Sequence, residues 1–348
     1  MTPFDTELPR IIQPGASVIT DDDLSDDSTG PGRIRPHPEP EEAAGATAGP
    51  AEYEVAGFGY RAVITETGAT LRELTCDGRA LVVGFDRNEG MIAYRGALCA
   101  PWPNRIADGR YRVDGQVHQL PVNEPSRDCS LHGLVFDRQW SLVSHEPGEV
   151  TLAMALDGAP GYPFRLRLQV RYEITESGLS TQVTATNVGE GVAPYGVCPH
   201  PYLRAGDSPL SEWSLTLPAS DVLDVTPDRL LPIGLRSVAD GPFDFQEARS
   251  VGQTEIDHAF TGIARDADGS ATVKLREPSG QGVALTFGAE LPWLQIHTAD
   301  LPAPGRTRLG LAVEPMTCPP DAFNSGTDLV CLAPGSSHRA AWRIHALR

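Results

Sequence analysis

The sequence predicts an all-β protein built as one large antiparallel sandwich, and three observations carry that prediction. Arg165-Leu166-Arg167-Leu168-Gln169-Val170-Arg171-Tyr172 alternates strictly between polar and apolar residues, the signature of a sheet with one buried and one wet face. Strand-sized apolar segments recur along nearly the whole chain, separated by turn residues, in a composition with Gly 35 and Pro 31. No helical period runs beyond two turns, and no repeat of 20 to 50 residues appears.

In chain order, residues 1–50 stand apart. They hold the acid run Asp21-Asp22-Asp23-Leu24-Ser25-Asp26-Asp27 and the Pro/Glu stretch His37-Pro38-Glu39-Pro40-Glu41-Glu42, with little that could be buried. Low hydrophobicity with like charge predicts a disordered, solvated, acidic leader, and residues 51–348 are then expected to form a single β domain. Tyr53–Phe58 and Tyr60–Thr65 read as two strands around a glycine turn. Leu71–Cys76, Asp77-Gly78 and Leu81–Phe85 read as a hairpin, because Asp-Gly supplies the positive φ angles that a tight turn requires. Tyr111–Val113 turns at Asp114-Gly115. Further strands are expected at 140–144, 150–156, 165–174, 179–187, 214–217, 271–275, 283–287, 294–298 and 340–345. One more, Leu309–Val313, is expected to end at Glu314, because Pro315 has no N–H to continue a ladder. A carboxylate at such a strand end would sit half-buried at a rim, where burial can tune it and substrate can reach it.

Bulk properties limit the function classes. The net charge of −18 argues against nucleic acid or an anionic membrane as partner. No apolar run approaches the roughly 18 residues of a membrane span, and the N-terminus lacks a secretory signal, so a cytoplasmic protein is expected, as monomer or homodimer. The six cysteines, at 76, 99, 129, 198, 318 and 331, include no CxxC pair and read as reduced core thiols.

Four polar clusters interrupt the β pattern upstream of Glu314. Asn104-Arg105-Ile106, followed by Gly109, offers the guanidinium fork suited to carboxylate or sugar oxygens. In Leu131-His132-Gly133 the glycine leaves room for something to approach the imidazole. His200 is held between Pro199 and Pro201 and followed by Tyr202, a rigid setting for a ring that must point one way. Cys198, two positions earlier, would share a strand face with His200 and raises a thiol–imidazole alternative. In Glu255-Ile256-Asp257-His258-Ala259-Phe260, the flanking Ile256 and Phe260 would draw Asp257 inward. A metal held by His132, His200, Asp257 and Glu314 is a further alternative, although no HxH or HxxxH spacing supports it and none is expected.

Taken in this order and closed by Glu314-Pro315 through Gly326, these clusters resemble the aldose 1-epimerase (galactose mutarotase) family over roughly residues 52–348. The resemblance implies a galactose mutarotase-like β-supersandwich and an enzyme that interconverts the α and β anomers of a free hexose through its open-chain aldehyde, without a cofactor. It assigns Glu314 as general base, His200 as general acid, and Arg105, His132, Asp257 and Asn104 to substrate binding. A Glu near its ordinary pKa of about 4.3 would be ionised at neutral pH, whereas a His near 6.5 would need a neighbouring carboxylate, Glu314 or Asp257, to hold its proton. Trp102, Tyr202, Phe260 and Trp293 are the candidates for an aromatic platform under the sugar. A hexose-6-phosphate epimerase and a non-catalytic sugar-binding protein on the same fold are the alternatives. The first would need extra Arg or Lys near the pocket, and the second has no need of an acid–base pair. The chain has Pro199 where the family often has Asn, Leu134 after His132-Gly133, and Leu203 after Tyr202.

Overall fold

A computed structural model describes residues 51–88, 90–300 and 307–348. The expected leader lies outside the described residues.

The backbone is nearly all strand, and the three principal sheets are antiparallel throughout. The largest has nine strands, beginning at the edge with Ser141–Glu146 and passing through the long strands Glu149–Ala159, Tyr162–Thr175, Gly178–Asn187 and Ser337–Leu347. A six-stranded sheet runs in the order Tyr202–Leu203, Leu311–Met316, Trp293–His297, Asp257–Ile263, Ala219–Val225 and Pro232–Ser237. A four-stranded sheet is formed by Glu52–Gly57, Tyr60–Thr65, Leu71–Cys76 and Arg79–Ala80. One apolar cluster joins all three. Leu166, Leu168, Val170 and Tyr172 come to it from the nine-stranded sheet, Phe260, Leu294, Ile296 and Val313 from the six-stranded sheet, and Val55 and Ile64 from the four-stranded sheet. One main core therefore joins the sheets, with two smaller buried clusters beside it, and the alternation in Arg165–Tyr172 is realised with Leu166, Leu168 and Val170 buried while Arg165, Arg167 and Gln169 face out.

The Asp-Gly turns behave as their chemistry requires. Asp77 and Gly78 have φ of 50° and 80°, and Asp114 and Gly115 have 48° and 78°, so each pair supplies the two positive φ angles of a tight hairpin. The first hairpin is shorter than expected, its second strand being only Arg79–Ala80. Beyond it the chain leaves the sheet, and Val83 donates instead to the carbonyl of Tyr202 at 2.8 Å, tying the four-stranded sheet to the six-stranded one.

The strand that carries Glu314 also differs from expectation. It runs through Glu314 and Pro315 to Met316, so Glu314 lies inside the strand and is buried, not at its rim. Val313 donates to Pro201 O at 3.2 Å and Thr317 to Val197 O at 3.1 Å on one side of the strand. The missing Pro315 donor falls between them and is tolerated because pairing with Leu294 continues on the other side. Among the described residues no helix is long and apolar enough to cross a membrane. Five cysteines are buried and unpaired as expected, whereas Cys331 is exposed on Val330–Leu332.

Candidate active site

Residues directly opposite one another on antiparallel strands point to the same sheet face, and this rule assembles the floor of the site. In the six-stranded sheet Glu314 is paired with Gln295, while Tyr202 and His297 flank Ala312 and His297 is paired with Asp257. Glu314, Gln295, His297, Asp257 and Tyr202 thus share one face, and the intervening Val313 and Ile296 face the core. All five line a cavity of about 620 Å³, together with Tyr94, Asn104, Arg105, Glu124, His132 and His200.

The walls come from two short strand pairs. Cys198–His200 pairs with Ala97–Cys99, and Arg105–Ala107 with Cys129–Leu131, which puts Arg105 opposite Leu131 and beside His132. Asn104 and His132 both adopt positive φ, 51° and 61°, and His132 N–H donates to Asn104 O at 2.9 Å. Asn104 lines the cavity and also braces its neighbour: its Oδ1 accepts from the Arg105 backbone at 2.9 Å and from the Arg105 guanidinium at 3.4 Å. The glycine after His132 serves the backbone, not access to the imidazole. Gly133 has φ +78°, and a Cβ there would lie 2.0 Å from the Ala100 carbonyl oxygen. Downstream of Glu314, Asp321 accepts from Ala107 N–H at 2.9 Å and donates its own N–H to Arg105 O at 2.7 Å. The Pro-rich segment is thereby fastened to the strand that carries Arg105.

At the centre, His200 Nε2 lies 3.3 Å from Glu314 Oε1, both side chains almost completely buried. Burial disfavours charge on each. It pushes the Glu314 carboxyl well above the usual range, with the Asp257 charge adding to the effect and Cys198 and Arg105 opposing it. It takes the His200 imidazole down to about 3, with the His297 charge acting in the same direction. Both directions run against the expectation of an ionised Glu314 beside a raised His200, because burial at this depth disfavours charge on each side chain. His132 is likewise held well below its ordinary value by burial, then by the charges of His200, Arg105 and His297.

Arg105 is gripped by Glu124, with Nε 2.7 Å from Oε2 and Nη2 2.9 Å from Oε1. Asp257 accepts from Gln295 Nε2 at 2.7 Å and lies 3.8 Å from His297 Nδ1. Gln295 Oε1 is buried without a hydrogen-bond partner, an acceptor left open on the cavity floor. Of the aromatic candidates, only Tyr202 lines the cavity, stacked on His200 at 5.3 Å between ring centroids. Trp102 and Phe260 are core residues, and Trp293 Nε1 is bound to Asp328 Oδ2 at 2.7 Å. Tyr94, which nothing in its loop sequence singled out, packs against His132 at 4.5 Å. Donor atoms of His132, His200 and Glu314 lie within 4.8 Å of one another, whereas Asp257 stands outside that trio. Such a set has the donors to ligate a cation; the reading below gives the three side chains to proton transfer and substrate binding.

A sequence model of the aldose 1-epimerase family matches residues 53–345. The chain belongs to the aldose 1-epimerase family. Members of this isomerase family are similar to it to different degrees. The uncharacterized protein YihR of Escherichia coli K12 is 38% identical over 290 residues, covering 83% of this chain and 91% of YihR. The aldose 1-epimerase of the same organism is 31% identical over 230 residues, covering 61% of this chain and 65% of that protein. Human galactose mutarotase is 31% identical over 199 residues, covering 53% and 56%. Among solved structures, a GalM/aldose epimerase homologue from C. elegans superposes with a TM-score of 0.75 at 22% identity, covering 86% of this chain and all of that one, a likeness of fold. The galactose mutarotase-like supersandwich expected from sequence is thus the fold of this aldose 1-epimerase family member.

Proposed function

We propose that this family member interconverts the α and β anomers of free hexoses such as glucose and galactose, using Glu314 and His200 as the proton-transfer pair. The observation that carries the reading is the buried Glu314–His200 contact at 3.3 Å on the floor of a cavity large enough for a sugar. Ring opening needs the C1 hydroxyl proton removed and the ring oxygen protonated, so one acid and one base suffice. One proton shared across the pair serves both directions. With the proton on His200 Nε2, Glu314 takes the hydroxyl proton while His200 protonates the ring oxygen. With it on Glu314, the pair is in the state that ring opening leaves behind and is set for closure. A hydroxyl donating to Glu314, and the Arg105 charge beside it, draw the proton toward His200. Rotation about C1–C2 before closure presents the other aldehyde face.

Arg105 and His132 would hold the ring-oxygen side, while Asp257, with Gln295 beside it, would accept sugar hydroxyls. Five carboxyl groups line the cavity (Glu124, Glu255, Asp257, Asp300 and Glu314), and both lining arginines, Arg105 and Arg127, are engaged by Glu124. That balance supports a neutral sugar over a phosphorylated one.

Polarimetry on freshly dissolved α-D-glucose and α-D-galactose tests the reading. Wild type should speed the approach to equilibrium rotation, and Glu314→Gln and His200→Asn should each lose at least about 100-fold of that gain. Full activity in Glu314→Gln would refute the assignment. Wild-type inactivity on both sugars, with activity on their 6-phosphates, would refute the substrate class.

A further inference from the structure

We propose that Cys198 is a positioning residue for this reaction: its thiol hydrogen-bonds Glu314 Oε2 and so turns Oε1 toward His200 and the substrate. The inference rests on the reading of Glu314 as the proton-transfer carboxyl.

Cys198 and His200 are first and last residues of one three-residue strand, so both side chains leave the same face. The register is fixed on both sides of that strand. Cys198 is paired with Cys99 and His200 with Ala97, while Pro201 O and Val197 O accept from the Glu314 strand. This delivers the thiol and the imidazole to one carboxyl: Cys198 Sγ lies 3.8 Å from Oε2, and His200 Nε2 lies 3.3 Å from Oε1. The terminal torsion of a Glu side chain is intrinsically broad, and a contact on each oxygen is what fixes it. Cys198 is fully buried, and burial holds its thiol well above the ordinary range, so the S–H is kept and donates. The thiol is therefore not the partner of His200 that the sequence spacing raised; it serves the carboxyl opposite.

The competing account is that Cys198 is only a small apolar filler, since it packs with Ala97, Cys99 and Met316. The two accounts differ in pH behaviour. Glu314 is faced by Cys198 and His200 from one strand, His132 from the Arg105 wall, and Asp257, Arg105, Cys99 and Tyr202 from the elements around it. Among these the thiol bond favours the ionised carboxyl, so removing it raises the pH at which Glu314 can act as base.

The test compares Cys198→Ser, which keeps a donor, with Cys198→Ala and Cys198→Val, which do not. In Ala and Val kcat at neutral pH should fall about fivefold, KM should stay within about twofold, and the acidic limb of the rate profile should move to higher pH, while Ser retains the wild-type limb. Circular dichroism checks folding. If Val unfolds, Ala and Ser carry the comparison. Independently of sugar turnover, the Cys198 S–H stretch, identified in the infrared by its loss in Cys198→Ser, should move toward the free-thiol position in Glu314→Ala. A band that stays put, or an acidic limb unmoved in Cys198→Ala, overturns the proposal. Wild-type inactivity on every sugar would sink the proposed function and leave the infrared readout to decide this one.

Discussion

Glu124 lies 19 residues from Arg105 in sequence, yet it grips the guanidinium that lines the cavity. Replacing it with Ala would leave the Arg105 guanidinium, 9% exposed, without its two charge-assisted bonds of 2.7 and 2.9 Å. Stripping one partner from a fully buried ion pair costs about 3–5 kcal/mol. Here the charge borders an open cavity and Asp257 still acts on it, so we expect about 2–3 kcal/mol. At roughly 2–4 °C per kcal/mol for a domain somewhat smaller than this one, the midpoint of thermal unfolding should fall by roughly 4–10 °C. Calorimetry on wild type, Glu124→Ala, Arg105→Met and the double variant gives the coupling. Once the guanidinium is gone, loss of Glu124 should cost much less, leaving a coupling energy of at least about 1 kcal/mol. In polarimetric assays Glu124→Ala should raise KM about tenfold, because Arg105 keeps its charge and loses its aim. Additive single effects, or an unchanged midpoint in Glu124→Ala, would refute the reasoning.

Two further outcomes follow from the same geometry. A carboxyl whose folded pKa lies above its unfolded value contributes stability below the unfolded pKa and loses it as pH rises through the folded one. Glu314 is such a group, so Glu314→Gln should be inactive yet more stable than wild type by about 1 kcal/mol at pH near 8, with the advantage vanishing below about 4.5, as thermal melts across pH would show. Gly133→Ala would put a methyl group 2.0 Å from Ala100 O at a positive φ. It should cost about 3 kcal/mol or more and displace His132, read as a lowered melting point together with a raised KM.

Much of this protein was legible in its residues because strand chemistry is local. Period-2 alternation in Arg165–Tyr172 and the Asp-Gly turns determine where strands form and which faces are wet, without reference to the rest of the chain. The motifs around Arg105, His132, His200, Asp257 and Glu314 each interrupt the β pattern and alone are weak; what gathers them as one constellation is their resemblance, in that order, to the aldose 1-epimerase family. Gln295 and His297 carried a readable signal too, as the polar members of Leu294-Gln295-Ile296-His297, whereas Tyr94 and Glu124 sit in loops with no period to mark them.

What only the tertiary structure decided depends on register and depth, which are not local quantities. Cross-strand pairing sets Glu314 beside Gln295 and delivers Cys198 and His200 to opposite oxygens of one carboxyl. The closing of the sandwich over that face buries Glu314 and His200 so completely that charge is disfavoured on both, raising the carboxyl and lowering the imidazole. The sequence by itself marked several of the polar residues that meet in the cavity; the enclosing sheets decided how deeply they are buried and so how costly their charges are, because the cost of an ion depends on how much water the rest of the fold leaves around it.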